Sequence, residues 1–224
     1  MKKLILLLAI CAFSTSVFAQ KARVYEHFTA STAWGKGAIV PAISYTQTLA
    51  IGNKFGFRFN SGVRFTQYII RNGTELENTV SNKNRSLQLT SNLRASALNI
   101  PIGIEIGNRF VAVGVNADLL GFTLRTEQNG DSFEVQNGQK PENIVITPAG
   151  FNFLITQKGT RNTQFYASLT PTESFTIRAG MALTQASFNT SYPDAVDATI
   201  IVDWDSFRES TLRPFVALQF NFEK

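Results

Sequence analysis

Between Phe55 and Tyr68 the chain alternates with a period of two. Phe55, Phe57, Phe59, Val63 and Phe65 occupy one parity, and Gly56, Arg58, Asn60, Gly62, Arg64 and Thr66 the other. Successive side chains of an extended strand point to opposite faces, so this segment is a strand with one greasy and one polar face. In a soluble sandwich or lipocalin-like barrel the greasy face points inward; in an outer-membrane barrel it faces lipid and the polar face lines the lumen. Periodicity by itself leaves both open.

The alternation recurs. Ile100, Ile102, Ile104 and Ile106 alternate with Pro101, Gly103 and Glu105, and Val111, Val113, Val115, Ala117 and Leu119 with Ala112, Gly114, Asn116 and Asp118. Phe175 to Thr184 and Val216 to Phe222 repeat the pattern. Each apolar stripe is bulky and the opposite stripe small or polar, which suits a narrow lumen better than a soluble core. Ile51-Gly-Asn-Lys54, Gly107-Asn108 and Thr170-Pro-Thr-Glu173 have tight-turn chemistry and alternate with long polar stretches at 72–93, 127–162 and 189–212. Short and long links in alternation are the signature of a barrel with short periplasmic turns and long extracellular loops.

Counting from these turns predicts strands near 38–50, 54–71, 95–106, 109–126, 163–170, 174–188 and 213–222. An eighth over 22–34 is joined to the next by Gly35-Lys36-Gly37. The expected fold is all-β, an eight-stranded antiparallel up-and-down transmembrane barrel. A ten-stranded alternative uses Ile144 to Thr147 and Phe151 to Ile155 as a hairpin around Pro148-Ala-Gly150. Pro101 lies mid-strand, where a missing N–H demands a bulge.

Met1-Lys2-Lys3, the apolar run Leu4–Ala12 and Val17-Phe18-Ala19 fit a secretory signal peptide over 1–19, leaving 20–224 as one barrel domain. A lipid anchor at Cys11 is the lesser alternative, since Ile10 sits where such processing wants a small residue. The chain has 21 basic and 16 acidic residues. Loss of Lys2 and Lys3 leaves a mild excess of about three positive charges, with no basic cluster pointing to nucleic acid. Cys11, the one cysteine, leaves with the signal, so neither a disulfide framework nor a thiolate metal site is expected.

The signal, the alternating strands, the link pattern and the closing Leu218-Gln-Phe-Asn-Phe222 together resemble the small outer-membrane β-barrel proteins of the OmpA-membrane-domain, OmpX and PorT-like type. In that group the chain usually ends on an aromatic; here Glu223 and Lys224 follow Phe222. The resemblance implies a Gram-negative outer-membrane location, in contact with outer-membrane lipid. It carries little about function, because such barrels serve many roles.

Little in the sequence carries chemistry. His27 is the one histidine; Ser31 shares its parity, but Glu26 is on the other face, so a rim histidine is the simpler reading and no catalytic set is expected. Asp194, Asp197, Asp203, Asp205 and Glu209 against Arg208 read as a solvated acidic loop without the glycine-punctuated spacing of a calcium site. No cofactor and no metal are expected. Inward parity places Arg58, Arg64 and Arg178 with Glu105 and Asp118 in the lumen, where charges of opposite sign must pair. Arg58 and Glu105 are expected as the lower pair and Arg64 with Asp118 higher up. The resulting expectation is a monomeric, non-enzymatic barrel with a plugged lumen. It is structural, or meets a surface partner through 72–93, 127–162 and 189–212. A narrow solute channel is the alternative, and a lipid-modifying enzyme using His27 comes third.

Overall fold

The computed structural model describes residues 22–52, 55–78, 86–124, 128–129, 133–135, 145–153, 159–193 and 201–222. The expected signal segment 1–19 lies outside them. The strands in chain order are β1 (Arg23–Gly35), β2 (Ala38–Ile51), β3 (Gly56–Ile70), β4 (Glu75–Asn78), β5 (Ser86–Leu89), β6 (Leu93–Gly107) and β7 (Val111–Leu124). They continue as β8 (Gln128–Asn129), β9 (Phe133–Val135), β10 (Val145–Pro148), β11 (Phe151–Phe153), β12 (Arg161–Thr172), β13 (Phe175–Pro193) and β14 (Ile201–Phe222). Eight of these form the staves of one barrel in the order β1-β2-β3-β6-β7-β12-β13-β14, every neighbour antiparallel. The barrel closes where β1 pairs β14, from Glu26 opposite Phe222 to Ala33 opposite Phe215. Closure removes the sheet edges that hydrocarbon cannot solvate.

Turn chemistry follows the sequence. Gly37 and Gly52 have φ of 86° and 113°, left-handed backbone that glycine tolerates without a Cβ penalty. Asn108 closes the β6–β7 turn with its side-chain oxygen, which accepts from the N–H groups of Phe110 and Val111 at 2.8 Å each. At Pro101 the β6–β7 register jumps: Ile100 faces Leu120 and Pro101 faces Asp118, so β7 carries one extra residue, Leu119. The bulge switches inward parity on β7 from Ala112, Asn116 and Asp118 to Thr123.

Over most of its height the barrel has the inside-out polarity of a membrane-spanning wall. Phe57, Phe59, Val63 and Phe65 point outward and are exposed, as are Ile102, Ile104, Val113, Phe165 and Leu218, while Asn60, Arg64 and Thr66 are buried inside. Towards the outer end the polarity reverses. Tyr68, Ile70, Leu93, Phe188 and Phe207 point inward and are buried.

The long links contain more structure than a reading of them as loops allows. In 72–93, β4 pairs β5 and the upper part of β14, and β5 pairs β9. The stretch 189–212 is mostly strand, since β13 runs to Pro193 and β14 begins at Ile201. In 127–162, β10 pairs β13 and β11 pairs β7, and both pairings are antiparallel. Because β7 and β13 run the same way, β10 and β11 also run the same way as each other, so they are not the hairpin of the ten-stranded alternative. They descend ahead of β12 as the upper part of one stave, crossing from β13 to β7 where the Ala149 N–H donates to Ser187 O and the Thr123 N–H to Gly150 O. Ile144 and residues 154–155 of that alternative lie outside the described residues.

Candidate functional site

The lumen gathers the charges in three layers. In the lowest, Arg58 on β3 and Glu105 on β6 are directly opposite in the ladder. Arg58 Nη1 donates to Glu105 Oε1, and Arg178 Nη2 on β13 donates to Oε2 at 3.1 Å. Arg58 also reaches the Asn108 carbonyl at 2.6 Å, and the Arg178 guanidinium lies 4.7 Å from the centre of the Tyr166 ring. One carboxylate thus serves two guanidinium groups.

The middle layer is more completely hydrogen-bonded. Arg64 Nη1 donates to Asp118 Oδ1 at 3.0 Å and Arg64 Nη2 to Asn116 Oδ1 at 2.8 Å. Asp118 Oδ2 accepts from Asn99 Nδ2 and from the Asn162 backbone N–H, both at 2.8 Å. Asn116 donates onward to Gln164 at 3.0 Å, and Asn152 to Asn99 at 3.0 Å. Arg64 and Asp118 are 4% and 2% exposed, so the pair is desolvated and needs every one of these bonds to hold its charges. Asp118 also sits beside the Leu119 bulge, which re-aims the β7 backbone next to it.

The upper layer is one that sequence reasoning missed. On β14, Glu209 accepts from Arg213 Nη2 at 2.6 Å and from Thr211 Oγ1 at 2.5 Å, while Arg213 Nη1 donates to Thr184 Oγ1. This corrects the assignment of Glu209 to a solvated acidic loop: it points into the lumen. The available signal was parity, since the alternation of Val216–Phe222 extends backward to place 209, 211 and 213 on the inward side. Asp194 and Asp197 lie outside the described residues, as do the side chains of Asp203 and Asp205. Among the described residues no three His, Cys, Asp or Glu side chains come together as metal ligands.

Above the charged layers Ile70, Leu76, Leu89, Leu93, Ile146, Phe188 and Phe207 fill the outer end, each no more than 2% exposed. Between the lowest and middle layers a cavity of about 10 Å³ touches Arg64, Asn116 and Arg178, room for about one water. Below the lowest layer the barrel opens into a vestibule of about 750 Å³ at the end carrying the short turns.

His27 is not at the rim. It points inward from β1 and is 1% exposed, with Nδ1 3.4 Å from Thr48 Oγ1. Ser31 donates instead to the Ala42 carbonyl at 3.5 Å, and Glu26 has the opposite parity from His27, so the three do not converge.

No protein-family profile matches the sequence, and no curated protein sequence matches it. Among solved structures the chain is similar to Neisserial surface protein A, at 11% identity and a TM-score of 0.33, covering 91% of this chain and 100% of that one. It is also similar to the attachment invasion locus protein Ail of Yersinia pestis, solved with the heparin analogue sucrose octasulfate, at 8% identity and a TM-score of 0.30, covering 90% of this chain and 97% of that one. At such values the barrel assignment rests on the hydrogen-bonded register of this chain itself.

Proposed function

We propose that this protein is an integral barrel of a Gram-negative outer membrane whose lumen is closed, and that it acts through its body and its outer tier rather than by chemistry or conduction. The apolar cap over layered ion pairs carries this reading. An ion crossing the lumen has to displace Phe188, Phe207 and Ile146 and then separate Arg64 from Asp118, each of which is opposed by burial or by an unpaired charge. The outward apolar band supports lipid as the surrounding medium. His27 meets Thr48 and Ser31 meets the Ala42 carbonyl, an arrangement that favours this reading over a lipid-modifying enzyme built on His27 and Ser31. A surface partner would meet the protein through 72–93, 127–162 and 189–212, and the barrel would work as a monomer.

Two measurements test this. Membrane fractionation with heated and unheated gel samples is expected to place the protein in the outer membrane with heat-modifiable mobility; a soluble, unshifted protein defeats the location. Planar-bilayer recording of the purified protein is expected to show no steady conductance. Stable unitary currents would instead favour the narrow solute channel, for which the vestibule is the specific observation.

A further inference from the structure

We infer that the vestibule is a binding site for a small phosphate-type oxyanion reaching it from the turn-bearing end. The inference goes beyond the closed-barrel reading and does not depend on it. Of the ionisable groups lining the vestibule, Arg109 and Glu173 pair with each other at the mouth, half or more exposed. Arg58 and Glu105 form the roof, and among the described residues Arg23 stands unopposed by a further carboxylate in the lining. Glu105 is shared with Arg178 from behind, so the roof carries two guanidinium groups for one carboxylate. The middle and upper layers are each balanced one to one, Arg64 with Asp118 and Arg213 with Glu209. Among the described residues the uncompensated positive charge of the three layers therefore lies in the layer that opens on a cavity large enough for a metabolite.

A buried group points the same way. Gln219 Oε1 has no hydrogen-bond partner among the described residues, and its side chain is more than nine-tenths buried. Gln219 lines the vestibule itself, with Nε2 tied to Asn221 Oδ1 at 2.5 Å so that Oε1 is held in place. A phosphate matches this set: its charged oxygens accept from guanidinium N–H groups, while a protonated oxygen or a neighbouring hydroxyl donates to Gln219 Oε1. The same chemistry is offered by a soluble phosphate ester and by a phospholipid headgroup at the barrel's lower rim.

The test is a titration of the purified barrel in a maltoside detergent, which carries no phosphate, with glycerol 3-phosphate, and separately with dihexanoyl phosphatidylglycerol. It is followed by amide NMR shifts around Tyr25, Arg58 and Gln219. Saturable shifts confined to the vestibule are expected, with none from glycerol. Saturation by glycerol 3-phosphate assigns a soluble source, and saturation by the lipid alone assigns a headgroup. Arg58→Gln is expected to weaken binding by about tenfold, the size of one lost charge-assisted contact. Glu105→Gln should tighten it. Because both alter the packed layer, Arg23→Gln at the mouth is measured beside them and should weaken binding with heat-modifiability unchanged. The site is overturned if neither ligand saturates, if glycerol gives equal shifts, or if affinity in Arg58→Gln and Arg23→Gln equals that of the wild type.

Discussion

On β3, Phe59 points out of the barrel and Asn60 in, whereas nearer the outer end of the same strand Gln67 points out while Tyr68 and Ile70 are buried inside. The two regions share a backbone and a hydrogen-bond ladder and differ in what surrounds them. Where the wall meets lipid, burial of apolar surface is satisfied outside, and the interior is left for groups that must find polar partners. Where it rises clear, water takes the outer face and the interior fills with Ile146, Phe188 and Phe207 like that of a soluble protein. One strand can hold both arrangements because its alternation sets only that neighbours oppose, not which side is greasy.

This contrast can be broken from either end. The largest effect is expected from Asp118→Ala in the lipid-bound region, which leaves Arg64 buried without its carboxylate; a loss of about 3–5 kcal/mol should appear in reversible urea unfolding from liposomes. In the outer region Phe188→Ala opens a cavity, with an expected cost toward the lower end of about 3–5 kcal/mol in the same assay. Its signature is different: protease cleavage within the outer strands should rise while heat-modifiable mobility persists. Phe59→Arg on the lipid face should cost about 2–4 kcal/mol, and a polar residue at the outward Gln67 far less. If Phe59→Arg is neutral, the lower wall does not face hydrocarbon and the comparison fails. Glu173→Ala should lie within about 0–1 kcal/mol, because the Arg109–Glu173 pair is largely solvated.

The eight staves were readable because period-two stripes and short turns are local features. Arg58 and Glu105 could be set side by side on paper, since strands joined by one loop are antiparallel neighbours and inward parity is shared. Glu209 escaped because the hydrophilic run 189–212 resembles a loop until its strand is extended past the membrane, where outward residues need not be apolar; Arg213 opened the predicted strand 213–222 on its inward parity, and its carboxylate partner was out of sight in that run. The path of 145–153 was unreadable for a different reason. Whether two short apolar pieces form a hairpin or share one stave depends on partners on β7 and β13 more than 20 residues away in sequence. Tyr166, stacked under Arg178, carries no sequence signal beyond its parity.

The seam between β1 and β14 bears on how such a wall comes together. Among the described residues it joins Glu26–Ala33 to Phe215–Phe222, segments far apart in the chain, whereas β1–β2 and β13–β14 pair residues closer in sequence. Loop closure makes distant pairings slow and neighbouring ones fast. The hairpins therefore form early as a curling ribbon, and the first and last strands meet late. Until they do, Arg178 near one edge of the ribbon, Glu105 in its middle and His27 at the other edge face an open trough. Burial of the lumen's polar groups is a late event, coupled to the closing of this one seam.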